Sequence, residues 1–133
     1  VVIVFSLAAG IKGEASDVVT EHNTAVAYGS GGVNVLATPA MIGLMEKAAL
    51  TSVEPFLDSG MTTVGTRVDV QHLAATPVGM TIKAVSELVA IEGKRLLFKV
   101  EALDEVEVVG RGTHERYVVP EEKFISRAAD KKK

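Results

Sequence analysis

The chain has 133 residues, enough for one domain with its own core and too few for two. A formal net charge of -3 and an isoelectric point near 5.6 argue against nucleic acid as the main partner. The absence of cysteine excludes disulfides, thiolate metal sites and a cysteine nucleophile, and fits a cytoplasmic setting.

The hydrophobic fraction of 47% and the positive mean hydropathy are high for a small monomer, so part of the apolar surface is expected between subunits. Residues 1–12 form an apolar extension. It is far short of the ~20 residues that a membrane span needs, and it has no positive region of the kind that opens a signal peptide. An ordered edge strand or cover is expected there. Residues 13–127 are expected to form the domain and residues 128–133 a solvated, frayed, charged tail.

Residues 13–21, with Val18-Val19-Thr20, read as a strand that extends to Ala27. His22 then falls at a strand-like position, where a lone histidine is more often structural or exposed than a ligand. Gly29-Ser30-Gly31-Gly32 is a loop. It lacks the Gly-Lys-Ser/Thr end of a P-loop, and it reads as a turn with positive φ angles or as a mobile cover over a site.

Thr38-Pro39 starts the central helix, with the threonine hydroxyl as cap and the proline at the first helical position. The helix runs on to about Leu57, apolar nearly all round and so mostly buried. Lys47, Thr51, Glu54 and Asp58 form a narrow wet face. Glu46 lies instead on the stripe of Ile42, Leu50, Val53 and Leu57, and Gly43 one turn earlier leaves space beside it. A carboxylate on such a stripe is costly unless it is hydrogen-bonded or has work to do.

After a turn at Asp58-Ser59-Gly60, four strand-like runs follow. Residues 61–74 alternate, with Val64, Thr66, Val68, Val70 and His72 on the apolar face. Residues 80–91 and 95–103 pair as a hairpin across Glu92-Gly93-Lys94. Residues 105–119 carry Gly110, Gly112, His114 and Arg116 on one face. Hairpin-like connections imply an antiparallel sheet, covered on one side by the helix and wet on the other, where Arg67, Asp69, Lys83, Glu87, Lys99 and Glu101 lie. The class is α+β.

No serine-hydrolase elbow, zinc-protease motif or dinucleotide fingerprint is present, and the three histidines lack metal spacing. No cofactor is called for. What remains is a threonine at a helix start, where free N–H groups suit an oxyanion, a carboxylate on that helix, and a histidine on an inward strand face. Desolvation raises the pKa of a carboxyl group, towards use as a base or nucleophile, and a histidine can share its proton. The set suits acyl transfer to water. The same residues also read as a plain cap, a core-bonded carboxylate and a core histidine.

Three blocks then carry a resemblance: Ala37-Thr38-Pro39-Ala40-Met41-Ile42-Gly43-Leu44-Met45-Glu46, His72-Leu73-Ala74-Ala75-Thr76-Pro77-Val78-Gly79, and Gly110-Arg111-Gly112-Thr113-His114-Glu115-Arg116. In this order they resemble the fluoroacetyl-CoA thioesterase family of hot-dog-fold proteins, over roughly residues 13–123. The resemblance implies a long central helix wrapped by an antiparallel sheet of about five strands, at least a dimer, and hydrolysis of an acyl-CoA thioester. It places catalytic roles on Thr38, Glu46 and His72, and substrate binding on Arg116 and Gly65. By chemistry alone an arginine at 116 holds a phosphate or an acyl carbonyl, or simply pairs with a carboxylate.

The fluoroacetyl-specific member of that family has aromatic residues ahead of the helix. Here Gly29-Ser30-Gly31-Gly32-Val33-Asn34 stands in their place, so a strong preference for the fluoroacetyl group is not expected. Two other readings compete. A non-catalytic acyl-CoA-binding module would bind CoA thioesters without releasing thiol. A hydratase of the same fold ranks last, because no Asp-x-Asn-Pro-x-His block is found. On one regular helix the eight steps from Thr38 to Glu46 span ~12 Å, too far for their side chains to meet, so two sites per dimer, each shared between chains at the interface, are expected.

Overall fold

A long helix lies against one face of a five-stranded antiparallel sheet in a computed structural model that describes residues 7–133. The strands are β1 (Lys12–Val18), β2 (Met61–His72), β3 (Thr81–Glu92), β4 (Arg95–Leu103) and β5 (Val108–Pro120). The helices are α1 (Ala25–Tyr28), α2 (Thr38–Val53) and α3 (Glu121–Ala129). The N-terminal strand or cover expected over residues 1–12 falls partly on residues 1–6, which lie outside the described part. Within it, Leu7 joins the core, and the Gly10 N–H donates to the Leu88 carbonyl, so the backbone meets β3 just ahead of β1.

The spatial order of the sheet is β1-β3-β4-β5-β2. The β3–β4 hairpin forms as expected, with Glu92 opposite Arg95 and Gly93 at φ +63° in the turn. The β2–β3 connection is not a hairpin: β2 crosses to the far edge and pairs with β5. Local patterning reports strands and tight turns, whereas this pairing joins residues about fifty positions apart.

Apolar side chains of α2 explain where it sits. Met41, Met45, Ala48, Ala49 and Val53 are buried against Ile82, Ala84, Leu88, Leu96, Phe98 and Val100 of the sheet. Such burial stabilises at roughly 25 cal/mol per Å² of apolar surface. The close approach depends on Gly13, where a β-carbon would come within 2.4 Å of the Ala48 carbonyl oxygen. The helix is less enclosed than its composition suggests: Ile42, Glu46 and Leu50 are only half-buried, and Gly43 is exposed. Around Glu46 the stripe is therefore the flank of the helix, and it reaches the core only at Val53.

Three further expectations change. Residues 19–28 do not continue β1. Thr24 accepts a hydrogen bond from the Ala27 N–H at 3.2 Å and caps α1, which Gly29 ends at φ +71°. In β2 an extra residue, Thr66, sits between Gly65 opposite Arg116 and Arg67 opposite Glu115. This bulge inverts the alternation, so Thr63 is buried on the helix side while Thr66 reaches Glu115. The tail continues α3 as a turn of 3-10 helix over Asp130–Lys132, solvated throughout.

Candidate active site

Two groups of polar side chains line the helix side of the sheet. The first is at the start of α2. The Thr38 hydroxyl does not cap the helix; the N-cap is Ala37, and Thr38 Oγ1 lies 2.7 Å from His72 Nδ1. His72 ends β2 on the inward face, as its alternation predicts. Its Nε2 is buried without a hydrogen-bond partner among the described residues. Burial pushes the His72 pKa below the ordinary histidine value, so the neutral ring is the resting form. Backbone bonds from Leu36 N–H to the Thr76 carbonyl and from Ala37 N–H to the Asn23 carbonyl fix the entry to α2 beside it. The cleft over this pair measures about 370 Å³, and Val33, Val35 and Ala25 wall it. The glycine-rich stretch thus contributes Ser30 and Val33 to the lining of the cleft.

The second group surrounds Glu46, two turns further along α2. Gly65 of β2 pairs directly with Arg116 of β5, and a β-carbon on Gly65 would lie 2.9 Å from Glu46 Oε2 and 3.3 Å from Arg116 Nη1. The space beside the carboxylate is therefore made by Gly65; Gly43 faces open space. Arg116 is 6% exposed and rigidly held. Its Nε–H donates to Thr63 Oγ1 at 2.8 Å, its Nη2 to the Thr63 carbonyl at 2.9 Å and its Nη1 to His114 Nε2 at 3.1 Å.

His114, 1% exposed, has its tautomer set from both sides: Nδ1–H donates to the Arg67 carbonyl at 2.7 Å, leaving Nε2 to accept from Arg116. Burial lowers the pKa of both groups; Glu46 opposes the shift in each, and the Arg116 charge adds to it at His114. Glu115 does not pair with Arg116. It binds Arg95 and the Thr66 hydroxyl on the other face of the sheet.

Of the residues singled out from sequence, Thr38 and His72 meet, and Glu46, Gly65 and Arg116 meet. The two groups do not meet within the chain, because α2 is regular over 16 residues and separates them. His22 is exposed and lies beside Glu21. His114 and Thr63 were not singled out. The inward face shared by His114 and Arg116 was the available signal for the first; the bulge hid the second. Among the described residues no group of histidine and carboxylate side chains could hold a metal ion, and no helix is long and apolar enough to cross a membrane.

Comparison with known proteins gives these groups a context. A model of the FlK family, fluoroacetyl-CoA-specific thioesterase, matches residues 19–122. The fluoroacetyl-CoA thioesterase of Streptantibioticus cattleyicolor is 44% identical over 97 residues, covering 73% of this chain and 70% of that protein. A solved structure of the fluoroacetyl-CoA thioesterase FlK superposes with a TM-score of 0.88 at 37% identity, covering 95% of this chain and 98% of that one. A phenylalanine-to-alanine mutant of FlK, solved with fluoroacetate and CoA, superposes with a TM-score of 0.83 at 39% identity, covering 89% and 99%.

The architecture is that of a hot-dog-fold thioesterase, a hydrolase acting on thioesters. Within that class, the chain belongs to the fluoroacetyl-CoA-specific thioesterase family.

Proposed function

We propose that the protein hydrolyses a small acyl-CoA thioester to the carboxylic acid and CoA at a site built from Thr38, His72, Glu46, Arg116 and Gly65. The observation that carries this reading is the 2.7 Å contact between Thr38 Oγ1 and a neutral His72 at the N-terminus of α2. With Nδ1–H donating to Thr38, the threonine proton is free to bond the thioester carbonyl oxygen, beside the free N–H groups of the helix start. Glu46 takes a proton from the attacking water, or attacks the carbonyl itself. The carbon–sulfur bond breaks and the CoA sulfur leaves with a proton. Arg116, aimed by Thr63 and His114, faces the space that Gly65 leaves open.

The same 2.7 Å contact also fits Thr38 as nucleophile with His72 as base. A Thr38 ester trapped on the protein would favour that route, and label from water in the product without such an adduct would favour the first.

Two half-sites on one chain support a homodimer in which Thr38 and His72 of one protomer face Glu46, Gly65 and Arg116 of the other. The unpartnered His72 Nε2, an acceptor in that tautomer, is then available to receive the proton that the partner's carboxylate takes from water. An acyl-CoA substrate and a chain without cysteine fit a cytoplasmic enzyme, with neither membrane nor nucleic acid as partner.

The relatives' names support fluoroacetyl-CoA as the acyl substrate, contrary to the expectation drawn from the glycine-rich stretch. Thiol release across fluoroacetyl-, acetyl-, branched and aromatic acyl-CoA thioesters tests both points. Turnover highest with fluoroacetyl-CoA is expected. Saturable CoA-thioester binding with no thiol released would leave a non-catalytic binding module.

A further inference from the structure

We propose that Asp104 and Thr76 are positioning residues for the reaction: the turn between β4 and β5 holds, through the Thr76 hydroxyl, the segment that brings Thr38 and His72 together. The proposal rests on the thioesterase reading above and adds to it two side chains that act through others.

Thr76 lies in the loop between β2 and β3 and is completely buried, at 0% exposure. A buried hydroxyl is costly to leave unpaired. Thr76 Oγ1 donates to Asp104 Oδ2 at 2.9 Å. The other carboxylate oxygen, Oδ1, accepts the N–H groups of Val106 at 2.8 Å and Glu107 at 2.9 Å. Asp104 thus closes its own turn with one oxygen and reaches the β2–β3 loop with the other. Burial raises the Asp104 pKa, but the three hydrogen bonds outweigh burial and hold it below the ordinary value. An ionised acceptor makes the bond to Thr76 a strong one. The turn is a firm anchor, because Ala102 and Val109 on either side of it are fully buried in the paired strands β4 and β5.

Thr76 is also where the two members of the pair are joined. His72 stands four residues before it, and the Leu73 N–H bonds the Val109 carbonyl of the same hairpin at 2.6 Å. The Thr76 carbonyl accepts the Leu36 N–H at 2.9 Å, two residues before Thr38. Val35 and Pro77 form a bridge beside this bond. Leu73, Ala74 and Ala75, between His72 and Thr76, line the cleft over the pair. Without the hydroxyl bond, the loop and the start of α2 shift together against the end of β2. The distance that changes is the 2.7 Å between Thr38 and His72.

The test compares Thr76→Val, which keeps the shape and removes the hydroxyl, with Thr76→Ser, which keeps the hydroxyl. Thiol release from acetyl-CoA and fluoroacetyl-CoA is measured well below the melting temperature of each protein. Thr76→Val should lower kcat ~10- to 100-fold, the scale of a displacement of about 1 Å in a reacting group, with KM little changed. Thr76→Ser should return kcat to near the native value. Glu105→Ala is the control: Glu105 accepts the Thr81 N–H at 2.8 Å and ties the same turn to β3 instead of to the pair, so native constants are expected. Nitrogen NMR of the three histidine rings gives a second readout. The His72 Nδ1 resonance should move in Thr76→Val and return in Thr76→Ser, with those of His114 unmoved.

Native kcat in Thr76→Val, an equal loss in Thr76→Ser or Glu105→Ala, or a His72 resonance that does not move would overturn the proposal. If Thr76→Val does not fold, Asp104→Asn takes its place. Its amide oxygen still accepts from the turn, while its NH2 group donates to Thr76 and leaves the buried hydroxyl proton without an acceptor. A lowered kcat and a moved His72 resonance are expected there, and a native value of either overturns the proposal. If the native protein releases no thiol, the enzymatic reading fails, and the His72 resonance still decides the positioning role.

Discussion

Gly65 and Arg116 face each other across the β2–β5 ladder, and the side chain that Gly65 lacks leaves the gap into which Glu46, Arg116 and His114 all point. A β-carbon there would come within 2.9 Å of the Glu46 carboxylate and 3.3 Å of both Arg116 and His114. Gly65 has no positive φ, so an alanine is tolerated by the backbone and resisted only by these groups. Gly65→Ala should reduce kcat/KM by ~10- to 100-fold, the scale of a displacement of about 1 Å in a reacting group. Stability should change by no more than ~1 kcal/mol. Thiol-release kinetics beside a denaturant melt check this; full activity in a folded Gly65→Ala protein would remove the gap from the site.

In the proposed reaction Glu46 supplies the base or the nucleophile. Glu46→Gln keeps the shape and removes the base or nucleophile, so kcat should fall at least ~100-fold. A half-buried position on the flank of α2 leaves the fold intact. Turnover close to the native rate would sink the assignment.

Sharing of the site between protomers is tested by complementation. Thr38→Ala and Glu46→Ala proteins, each inactive, are unfolded and refolded as a mixture. A shared site leaves each mixed dimer with one site holding both residues and one holding neither, so activity returns. If mass measurement confirms mixed dimers and no activity appears, the two residues do not meet across the interface.

His114 makes stability pH-dependent. Burial holds its pKa below the ordinary value, so the folded protein binds fewer protons here than the unfolded chain does. The resulting stability is complete above about pH 6.5 and is lost as pH falls through the folded-state value. His72 contributes with the same sign. Glutamine can accept from Arg116 and donate to the Arg67 carbonyl without titrating. His114→Gln should therefore show a shallower fall in Tm between pH 7 and pH 5 than the native protein. Identical slopes would contradict the assignment.

What could be read from the residues divides by range. The position of the α2 start at Thr38-Pro39, the hairpin at Gly93 and the inward face of β5 are each set by neighbours in sequence, and each is where it was expected, although Ala37 and not the Thr38 hydroxyl caps the helix. The cap on α1 was equally local: Thr24 before Ala25, with Gly29 after Tyr28, is a helix start and stop that a strand reading of residues 13–27 passes over. The pairing of β2 with β5 was not legible, because nothing near residue 65 announces residue 116. For the same reason His114 could be placed on the right face but not between Arg67 and Arg116. The Thr38 hydroxyl had two possible partners, a helix N–H and a histidine, and only the position of the end of β2 decides between them.

The single extra residue at Thr66 sets the parity of the edge strand. Before it, odd-numbered residues, Thr63 and Gly65, face α2; after it, even-numbered ones, Val68, Val70 and His72, do. Both half-sites lie on one side of the sheet only because the count is out of step by one between them. A substitution at position 66 keeps that count. Removing the residue does not: either the arginine cradle or the histidine must then turn to the solvent side. In this strand, residue number is under stricter constraint than residue identity, and any homologue that shortens it by one must lengthen it again before its histidine to keep both half-sites inside.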